Sequence, residues 1–189
     1  TTTTTTSSSS NGSSGGLNIT AVGPDEQDHS DPSVVQVILD VGHNPAAVDT
    51  LMKRVHKQFI SKGAQVRVVY AVSRDKNVRE CVRAIVANVA PDKVHFAQST
   101  NWRAASLEEL NRIFREETGE NVTDMGAVDC QETLKRVLAR SASDGAASGG
   151  KAVTIICGTG YIMPPARALV GIREPQDDED ISRSSLSKG

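Results

Sequence analysis

Short runs of apolar residues alternate along the chain with longer segments in which apolar residues recur every three or four positions. The short runs are rich in Val and Ile, as is typical of buried strands, and the longer segments have the period of amphipathic helices. The pattern predicts strands over residues 34–39, 65–72, 93–96, 122–125 and 152–157. It predicts helices over 46–59, 78–90, 106–116 and 131–139, and a last helix that follows Pro164 and Pro165 and ends near 171. The small-residue segment 141–150 is predicted to be a loop.

Alternating strands and helices indicate βαβ units and therefore a mostly parallel sheet. Aromatic residues make up only 3 % of the chain, so the core must consist of Val, Ile, Leu and Ala side chains. The predicted fold class is α/β, with a Rossmann-like, mostly parallel sheet and helices on both faces.

Both ends of the chain have too few apolar residues to form a core. Residues 1–16 are only Thr, Ser, Asn and Gly, and an acidic, proline-bounded segment follows them. We expect residues 1–32 to form a disordered leader and linker, 33–173 to form one α/β domain, and the acidic, Ser-rich residues 174–189 to form a disordered tail.

Charge and cysteine content narrow the function classes. The net charge is −2, which gives no electrostatic basis for binding nucleic acid. No apolar run is long enough for a membrane span. Three widely spaced cysteines fit neither a disulfide framework nor a zinc site. Reduced thiols indicate a cytoplasmic protein, with a mitochondrial location as the alternative.

Polar residues follow the first predicted strand directly. Asp40, His43 and Asn44 come before Pro45, which suits the first turn of a helix. Open α/β sheets bind ligands at the carboxyl ends of their strands, where a carboxylate can accept hydrogen bonds from ribose hydroxyls. The structural alternative is an ordinary helix cap formed by Asn44.

Two further strands also end in groups that could bind an anion. The second is followed by Asp75-Lys76-Asn77, in which Lys76 could bind a phosphate or carboxylate; the alternative is a solvated turn with Asp75 or Asn77 as a cap. The last strand ends in Gly158-Thr159-Gly160-Tyr161, a turn expected to expose Thr159 and backbone N–H groups to a carboxylate. A routine packing turn is the alternative there.

A fourth segment precedes the helix predicted at 106–116. Ser106 and Glu109 have the spacing of a capping box. Arg103, just before the box, could bind a ligand or be an exposed charge beside the cap. The capping box favours the structural role.

The string Asp-x-x-His-Asn-Pro at 40–45 resembles the signature that opens the C-terminal domain of folylpolyglutamate synthases and dihydrofolate synthases, members of the Mur ligase superfamily of ATP-dependent amide-bond ligases. Asp75-Lys76-Asn77 is similar to the family's Asp-Lys-Asp, with an amide in place of the third acid. Thr159 and Tyr161 match its Gly-Ser/Thr-x-Tyr/Phe. Trp102 stands where the family often has the proline of Pro-Arg-Ala. The resemblance spans about 34–172.

The resemblance implies a Mur ligase C-terminal type of fold and an ATP- and Mg²⁺-dependent ligation of L-glutamate to a folate or dihydropteroate through an acyl phosphate. It implies that Asp40, His43 and Asn44 contact the nucleotide. It also implies that Lys76, Thr159 and Tyr161 contact glutamate, with His43 and Lys76 as the catalytic residues.

The family keeps its P-loop, its magnesium ligands and most of its folate pocket in an N-terminal domain. No Gly-x-x-x-x-Gly-Lys-Ser/Thr motif occurs in these 189 residues, and residues 12–31 contain no arginine of the family's Gly-Arg element. We therefore expect that the chain needs such a domain as its partner and has no ligase activity alone. The alternative is a non-catalytic α/β module that binds a nucleotide or a partner.

Overall fold

The computed structural model describes residues 19–21, 35–122, 130–149 and 151–172, which contain five parallel strands, five α-helices and three short 3₁₀-helices. The strands are β1 (Ile19–Ala21), β2 (Val35–Asp40), β3 (Gln65–Ala71), β4 (Val94–Phe96) and β5 (Ala152–Gly158). The helices are α1 (Pro45–Gln58), α2 (Val78–Val86), α3 (Leu107–Thr118), α4 (Cys130–Ser148) and α5 (Met163–Leu169).

The strand order is β1-β2-β5-β3-β4, and every pair is parallel. The last strand in the sequence therefore lies in the centre of the sheet, between β2 and β3. All seven residues of β5 are buried, because the strand has a neighbour on each side and a layer of helices on each face.

The two faces of the sheet are covered by different helices, as the side chains of β3 show. Val68 and Tyr70 pack in a cluster with residues of α1, α2 and α3. Val69 and Ala71 point to the other face and pack in a cluster with α4 and α5. This three-layer arrangement confirms the predicted fold class, an α/β domain with a parallel sheet and helices on both faces.

The strands predicted over 34–39, 65–72, 93–96 and 152–157 are confirmed by β2 to β5. The weak strand predicted over 122–125 is not confirmed. Val122 is buried but lies in no strand, and residues 123–125 lie outside the described residues. The last helix begins at Met163, so Pro164 and Pro165 lie in its first turn instead of preceding it; proline is tolerated there because those N–H groups have no partner within the helix.

The short strand β1 lies within residues 1–32, for which the sequence predicts a disordered leader. At Ile19–Ala21 that prediction is wrong, because the backbone of this segment pairs with Val35–Val37 and extends the sheet beyond β2. The rest of that segment and the predicted tail lie outside the described residues. No helix of the described ranges is long and apolar enough to cross a membrane.

The loop predicted over 141–150 is wrong as far as Ser148, because α4 continues to that residue. Its small residues serve packing. Ser141 and Gly145 are buried, and the Ser141 hydroxyl lies 2.6 Å from the Thr154 hydroxyl of β5. Tertiary contacts therefore override the weak helix propensity of this segment.

A charged cluster anchors this end of α4 near the amino-terminal edge of the sheet. Arg67 is only 8 % exposed, and its guanidinium donates to Asp144 (2.8 Å) and to His95 Nε2 (3.0 Å). Lys93 also contacts Asp144, at 3.2 Å. A cavity of about 290 Å³ adjoins the cluster, lined by Arg67, Asp92, Arg140, Ser143 and Asp144. Burial alone would raise the pKa of Asp144, but the hydrogen bonds and charges of Arg67 and Lys93 outweigh burial and lower it.

We predict that Asp144→Asn lowers the free energy of unfolding by about 2–3 kcal/mol at pH 7, because it leaves the buried Arg67 charge without its carboxylate. The pKa of Asp144 is lowered from 3.8 in the folded protein, so its contribution is complete above about pH 4 and is lost as the pH falls through the folded pKa. Urea unfolding at pH 7 and near pH 3 measures both effects.

The matched control is Asp49→Asn, which removes an exposed carboxylate that pairs with Lys53 on α1. We expect it to change the free energy of unfolding by less than about 0.5 kcal/mol. Equal losses in the two variants would show that the Arg67 pair does not anchor α4.

Candidate functional site

The sequence-predicted site residues lie at one edge of the sheet. Asp40 of β2 and Tyr70 of β3 both pair with Cys157 of the central strand, so the three strands end at nearly the same level. Neighbouring strands are about 5 Å apart. The loops that carry Asp40 and His43, Thr159 and Tyr161, and Lys76 therefore lie side by side, in the order β2, β5, β3.

A tight turn after β2 fixes the Asp40 carboxylate. Its Oδ1 accepts the Gly42 N–H at 2.6 Å. A Cβ atom at position 42 would lie 2.8 Å from the same oxygen, so Gly42 allows the close approach. Among the described residues, no other donor contacts this carboxylate, and Asp40 is half-buried. The second oxygen is therefore held in place and can accept a hydrogen bond from a ligand.

The His43 ring is exposed and is held in one tautomer. Its Nδ1 lies 2.9 Å from the Val41 carbonyl. Because a carbonyl only accepts, Nδ1 carries the proton and the neutral ring has its lone pair on Nε2. The His43 carbonyl accepts a weak bond from the buried Cys81 thiol of α2, at 3.9 Å. The ring can therefore accept a proton or a hydrogen bond at Nε2.

The Asn44 side chain caps α1. Its Oδ1 accepts the Ala47 N–H at 2.9 Å, and Pro45 occupies the first helical position. The structural alternative for this residue is confirmed. The Asn44 oxygen is engaged in the cap, and its amide NH₂ is the part that can donate to a ligand.

The turn after β5 is formed by backbone packing. Gly158 has a φ of +114°, and a Cβ atom there would lie 1.8 Å from the Ala71 carbonyl oxygen. The Thr159 N–H donates to that same oxygen at 2.7 Å. Thr159 is only 6 % exposed, and its hydroxyl oxygen accepts the Tyr161 N–H at 3.4 Å. The expectation that the turn exposes Thr159 and its N–H is wrong, because the N–H bonds to β3 and Gly158 brings the two strands too close.

The loop after β3 combines a cap with an ion pair. Asn77 caps α2 by accepting the Glu80 N–H at 3.3 Å, which confirms one structural alternative. The Lys76 ammonium lies 2.9 Å from the Asp75 carboxylate, and its hydrogen bond and charge lower the pKa of Asp75. Lys76 is half-exposed, so it can reach an anion only if it shares or leaves Asp75.

The loop after β4 is joined to the loop after β3 by backbone hydrogen bonds. Ser73 and Ala104 form an antiparallel bridge, and the Arg74 N–H donates to the Arg103 carbonyl at 2.8 Å. Ser106 then caps α3 by accepting the Glu109 N–H at 3.1 Å, so the predicted capping box is confirmed on the Ser106 side. The two loops therefore form one unit beside the β5 turn.

A layer of buried groups lies below this edge. Burial raises the pKa of the Cys157 thiol well above its usual range, and the Asp40 carboxylate raises it further. Burial likewise raises the pKa of Cys81 and of the Tyr70 hydroxyl. All three cysteines are buried. The Cys157 and Cys81 thiols and the Tyr70 hydroxyl stay protonated at neutral pH and pack the floor of the site without acting as nucleophiles.

The role of Gly42 in orienting the Asp40 carboxylate was not predicted from the sequence. An Asp-x-Gly string after a strand is a signal for an Asx turn, in which the side chain accepts the N–H two residues later. The packing of Trp102 against Arg74 was also missed, because the two residues come from different loops and no sequence spacing connects them.

We predict that Gly158→Ala lowers the free energy of unfolding by about 3 kcal/mol or more, because the added Cβ strikes the Ala71 oxygen and a positive φ disfavours alanine. Gly160→Ala is the matched control, since Gly160 is exposed and a Cβ there meets nothing within 4 Å. Chemical denaturation of both variants tests this. Similar stabilities would mean that the turn can open.

Comparison with protein families matches the description "Mur ligase, glutamate ligase domain" over residues 27–160, which is more than half of the chain. A comparison with curated protein sequences finds no match. Solved structures share the fold. One is Mycobacterium tuberculosis folylpolyglutamate synthase complexed with ADP and AMPPCP, with a TM-score of 0.63 and 24 % identity over 74 % of this chain and 30 % of that one.

Two more distant structures have the same fold. A bifunctional folylpolyglutamate synthase/dihydrofolate synthase with Mn, AMPPNP and L-glutamate bound has a TM-score of 0.55 and 20 % identity over 72 % of this chain and 29 % of that one. Thermotoga maritima folylpolyglutamate synthase has a TM-score of 0.51 and 17 % identity over 71 % of this chain and 27 % of that one. The chain thus spans less than a third of the length of these structures. By its family match, the chain belongs to the Mur ligase family and contains its glutamate ligase domain.

Proposed function

We propose that this chain is the C-terminal domain of an ATP-dependent folylpolyglutamate or dihydrofolate synthase, which ligates L-glutamate to a folate or dihydropteroate through an acyl phosphate. The observation that carries the proposal is the Asp40 carboxylate, fixed by the Gly42 N–H beside the exposed Nε2 of His43. Family membership supports a ligase, and the fold shared with folylpolyglutamate synthases supports the choice of substrates.

Three groups suit a nucleotide. The second oxygen of Asp40 accepts from ribose hydroxyls, His43 Nε2 accepts a further hydrogen bond, and the Asn44 NH₂ donates to an acceptor on the nucleotide. In the proposed reaction, ATP supplies the phosphoryl group that activates the acceptor carboxylate. Because the synthases that the sequence resembles keep their magnesium ligands in an N-terminal domain, we assign those ligands to a partner domain.

The groups that we assign to glutamate lie on the other side of the same edge. Tyr161 is half-buried, and the Thr159 hydroxyl, whose oxygen accepts the Tyr161 N–H, keeps its own proton to donate to a carboxylate. Lys76 supplies a positive charge for a carboxylate or for developing phosphoryl charge. Lys76 must exchange its Asp75 contact for the substrate.

Amide formation also requires a neutral amine. Amino groups are protonated in solution at neutral pH, so the glutamate ammonium must lose a proton before it attacks. His43 Nε2 has the lone pair, the exposure and the fixed orientation of a proton acceptor. We therefore assign His43 as the base, a role in which Nε2 gives up its hydrogen bond to the nucleotide and takes the ammonium proton. Lys76 stabilises the negative charge that develops as the amine displaces phosphate from the acyl phosphate.

The second candidate is a non-catalytic module that binds a nucleotide or a partner. The observation in its favour is that the glutamate-side groups are less available than the nucleotide-side groups, because Lys76 is paired with Asp75 and Thr159 is buried. A binding module would need the nucleotide-side groups, but it would not need accessible groups for glutamate because it ligates nothing.

We predict that the chain forms no ADP when it is incubated alone with ATP, Mg²⁺, glutamate and folate, because these 189 residues contain no P-loop. Adding the N-terminal P-loop domain of a folylpolyglutamate synthase in trans restores glutamate-dependent ADP formation. Asp40→Ala abolishes the restored activity, and Asp49→Ala, an exposed carboxylate of α1, retains it. Coupled ADP release and product mass measure the reaction.

Isothermal titration with ATP–Mg²⁺ separates the two candidates. Tight ATP binding by the isolated chain, with no ligation in the presence of the P-loop domain, would favour the binding module. Turnover by the chain alone would contradict the requirement for a partner domain.

Gly42→Ala tests the Asp40 geometry without removing the carboxylate. The added methyl would lie 2.8 Å from Asp40 Oδ1 and must displace it. With the P-loop domain added in trans, we expect a rise of about tenfold in the KM for ATP, the equivalent of about 1.4 kcal/mol of lost binding. The KM for glutamate should be unchanged. An equal rise in both constants would show that the turn supports the whole edge and not the nucleotide side alone.

A further inference from the structure

A surface patch at the carboxyl edge of the sheet holds the only tryptophan of the chain against two arginines. Trp102 is 56 % exposed, although it is the largest apolar side chain present. The guanidinium carbons of Arg74 and Arg103 lie 5.5 and 5.0 Å from its ring centroid. The two guanidinium carbons can therefore be no further apart than the sum of these two distances. We call Arg74, Trp102 and Arg103 the Trp102 clamp.

The backbone below the clamp is cross-linked. The Arg74 N–H donates to the Arg103 carbonyl at 2.8 Å, and the Arg103 N–H donates to the side chain of buried Asn101 at 2.9 Å. The Ser73–Ala104 bridge lies next to both. A ligand that binds here would order little additional backbone, so less of its binding free energy is lost to conformational entropy.

The charge of the clamp is only partly compensated. Both guanidinium groups are exposed, and neither forms an ion pair with a carboxylate of the described residues. The nearby Asp75 carboxylate contacts Lys76, whose hydrogen bond is the main cause of its lowered pKa, and the Arg103 charge lowers that pKa further. A chain with a net charge of −2 therefore carries a local excess of positive charge beside its candidate site. Cation–π contact with an exposed ring stabilises too little to explain two arginines at one tryptophan.

The chemistry of the clamp favours a ligand that carries several carboxylates. Each guanidinium can bind one carboxylate through two parallel hydrogen bonds. The exposed part of the indole, which both guanidinium groups contact, offers an apolar surface for a methylene segment that links the carboxylates. A compact anion such as phosphate could engage one fork but would leave the ring unused.

The position of the clamp relates it to the proposed reaction. Arg74 lies three residues after Ala71, whose carbonyl accepts the Thr159 N–H of the β5 turn. The loop that carries Trp102 follows β4, at the outer end of the same edge. We propose that the Trp102 clamp binds the anionic γ-glutamyl chain of the acceptor, next to the point where the next glutamate is ligated. This inference rests on the proposed function for the identity of the acceptor chain, whereas its preference for a polycarboxylate comes from the clamp itself.

The test uses Trp102 as its own reporter, because no other tryptophan contributes to the fluorescence. The full 189-residue chain is titrated with γ-linked triglutamate, and binding is followed by fluorescence and by calorimetry. We expect a saturable fluorescence change and a heat of binding that weaken with salt. Arg74→Gln and Arg103→Gln should each raise Kd at least tenfold. The lysine variants at these positions should lose less affinity for triglutamate, since they keep the positive charge and lose only the two parallel hydrogen bonds of the guanidinium.

Arg54→Gln is the matched control, since Arg54 is an exposed arginine of α1, outside the clamp. It should bind triglutamate as the unaltered chain does. The proposal is overturned if triglutamate gives no saturable signal in either measurement, or if all three glutamine variants bind equally. It is also overturned if single glutamate or inorganic triphosphate binds as tightly as triglutamate.

This titration needs neither ATP nor a P-loop domain, so the clamp and the proposed function can fail separately. Triglutamate binding without ligation in trans would contradict the function and leave the clamp as a polycarboxylate site. Ligation in trans without triglutamate binding would contradict the proposal for the clamp and leave the proposed function standing.

Discussion

The site depends on the close approach of the central strand to β3 at the point where both strands end. Gly158 places its Cα where a side chain would overlap the Ala71 carbonyl oxygen, and that oxygen accepts the Thr159 N–H at 2.7 Å. Because β5 also pairs with β2 up to Asp40, this contact sets the level at which the loops carrying the candidate ligands leave the sheet. A glycine with a positive φ is therefore a structural requirement here, and it is at the same time the reason why Thr159 is buried.

Charged side chains are paired within the fold at one edge of the sheet and exposed to solvent at the other. At the amino-terminal edge, Arg67 is buried and its charge is compensated by Asp144, so the cluster stabilises the contact between α4 and the sheet. At the carboxyl edge, the Asp40 carboxylate is fixed by a backbone N–H, and two exposed guanidinium groups lack carboxylate partners among the described residues. Charges compensated within the fold contribute to stability, whereas charges that are fixed and uncompensated remain available to a ligand.

Local patterns predicted most of the fold. Runs of Val and Ile predicted β2, β3 and β5, because a parallel strand with a neighbour on each side has no polar face to obscure the signal. Long-range packing was not visible in the same way. Ser141 and Gly145 belong to a helix because they fit against β5, and a composition of small residues indicates a loop when that partner is unknown. The site followed the same division: Asp40 and Asn44 could be placed from adjacent residues, whereas the burial of Thr159 depends on β3.

The arrangement also suggests why such a domain would work in two stages. The groups that we assign to the nucleotide, Asp40 and His43, are oriented by hydrogen bonds to their own turn and need no rearrangement before they bind. On the other side, Lys76 contacts Asp75, which must release it before it can meet a substrate anion. An exposed ion pair is weak and exchanges readily, so an arriving anion can compete for the ammonium. If nucleotide binding brings the domain against a P-loop partner, the closed cleft excludes water and strengthens that competing contact. The domain would then engage its second substrate only after its first.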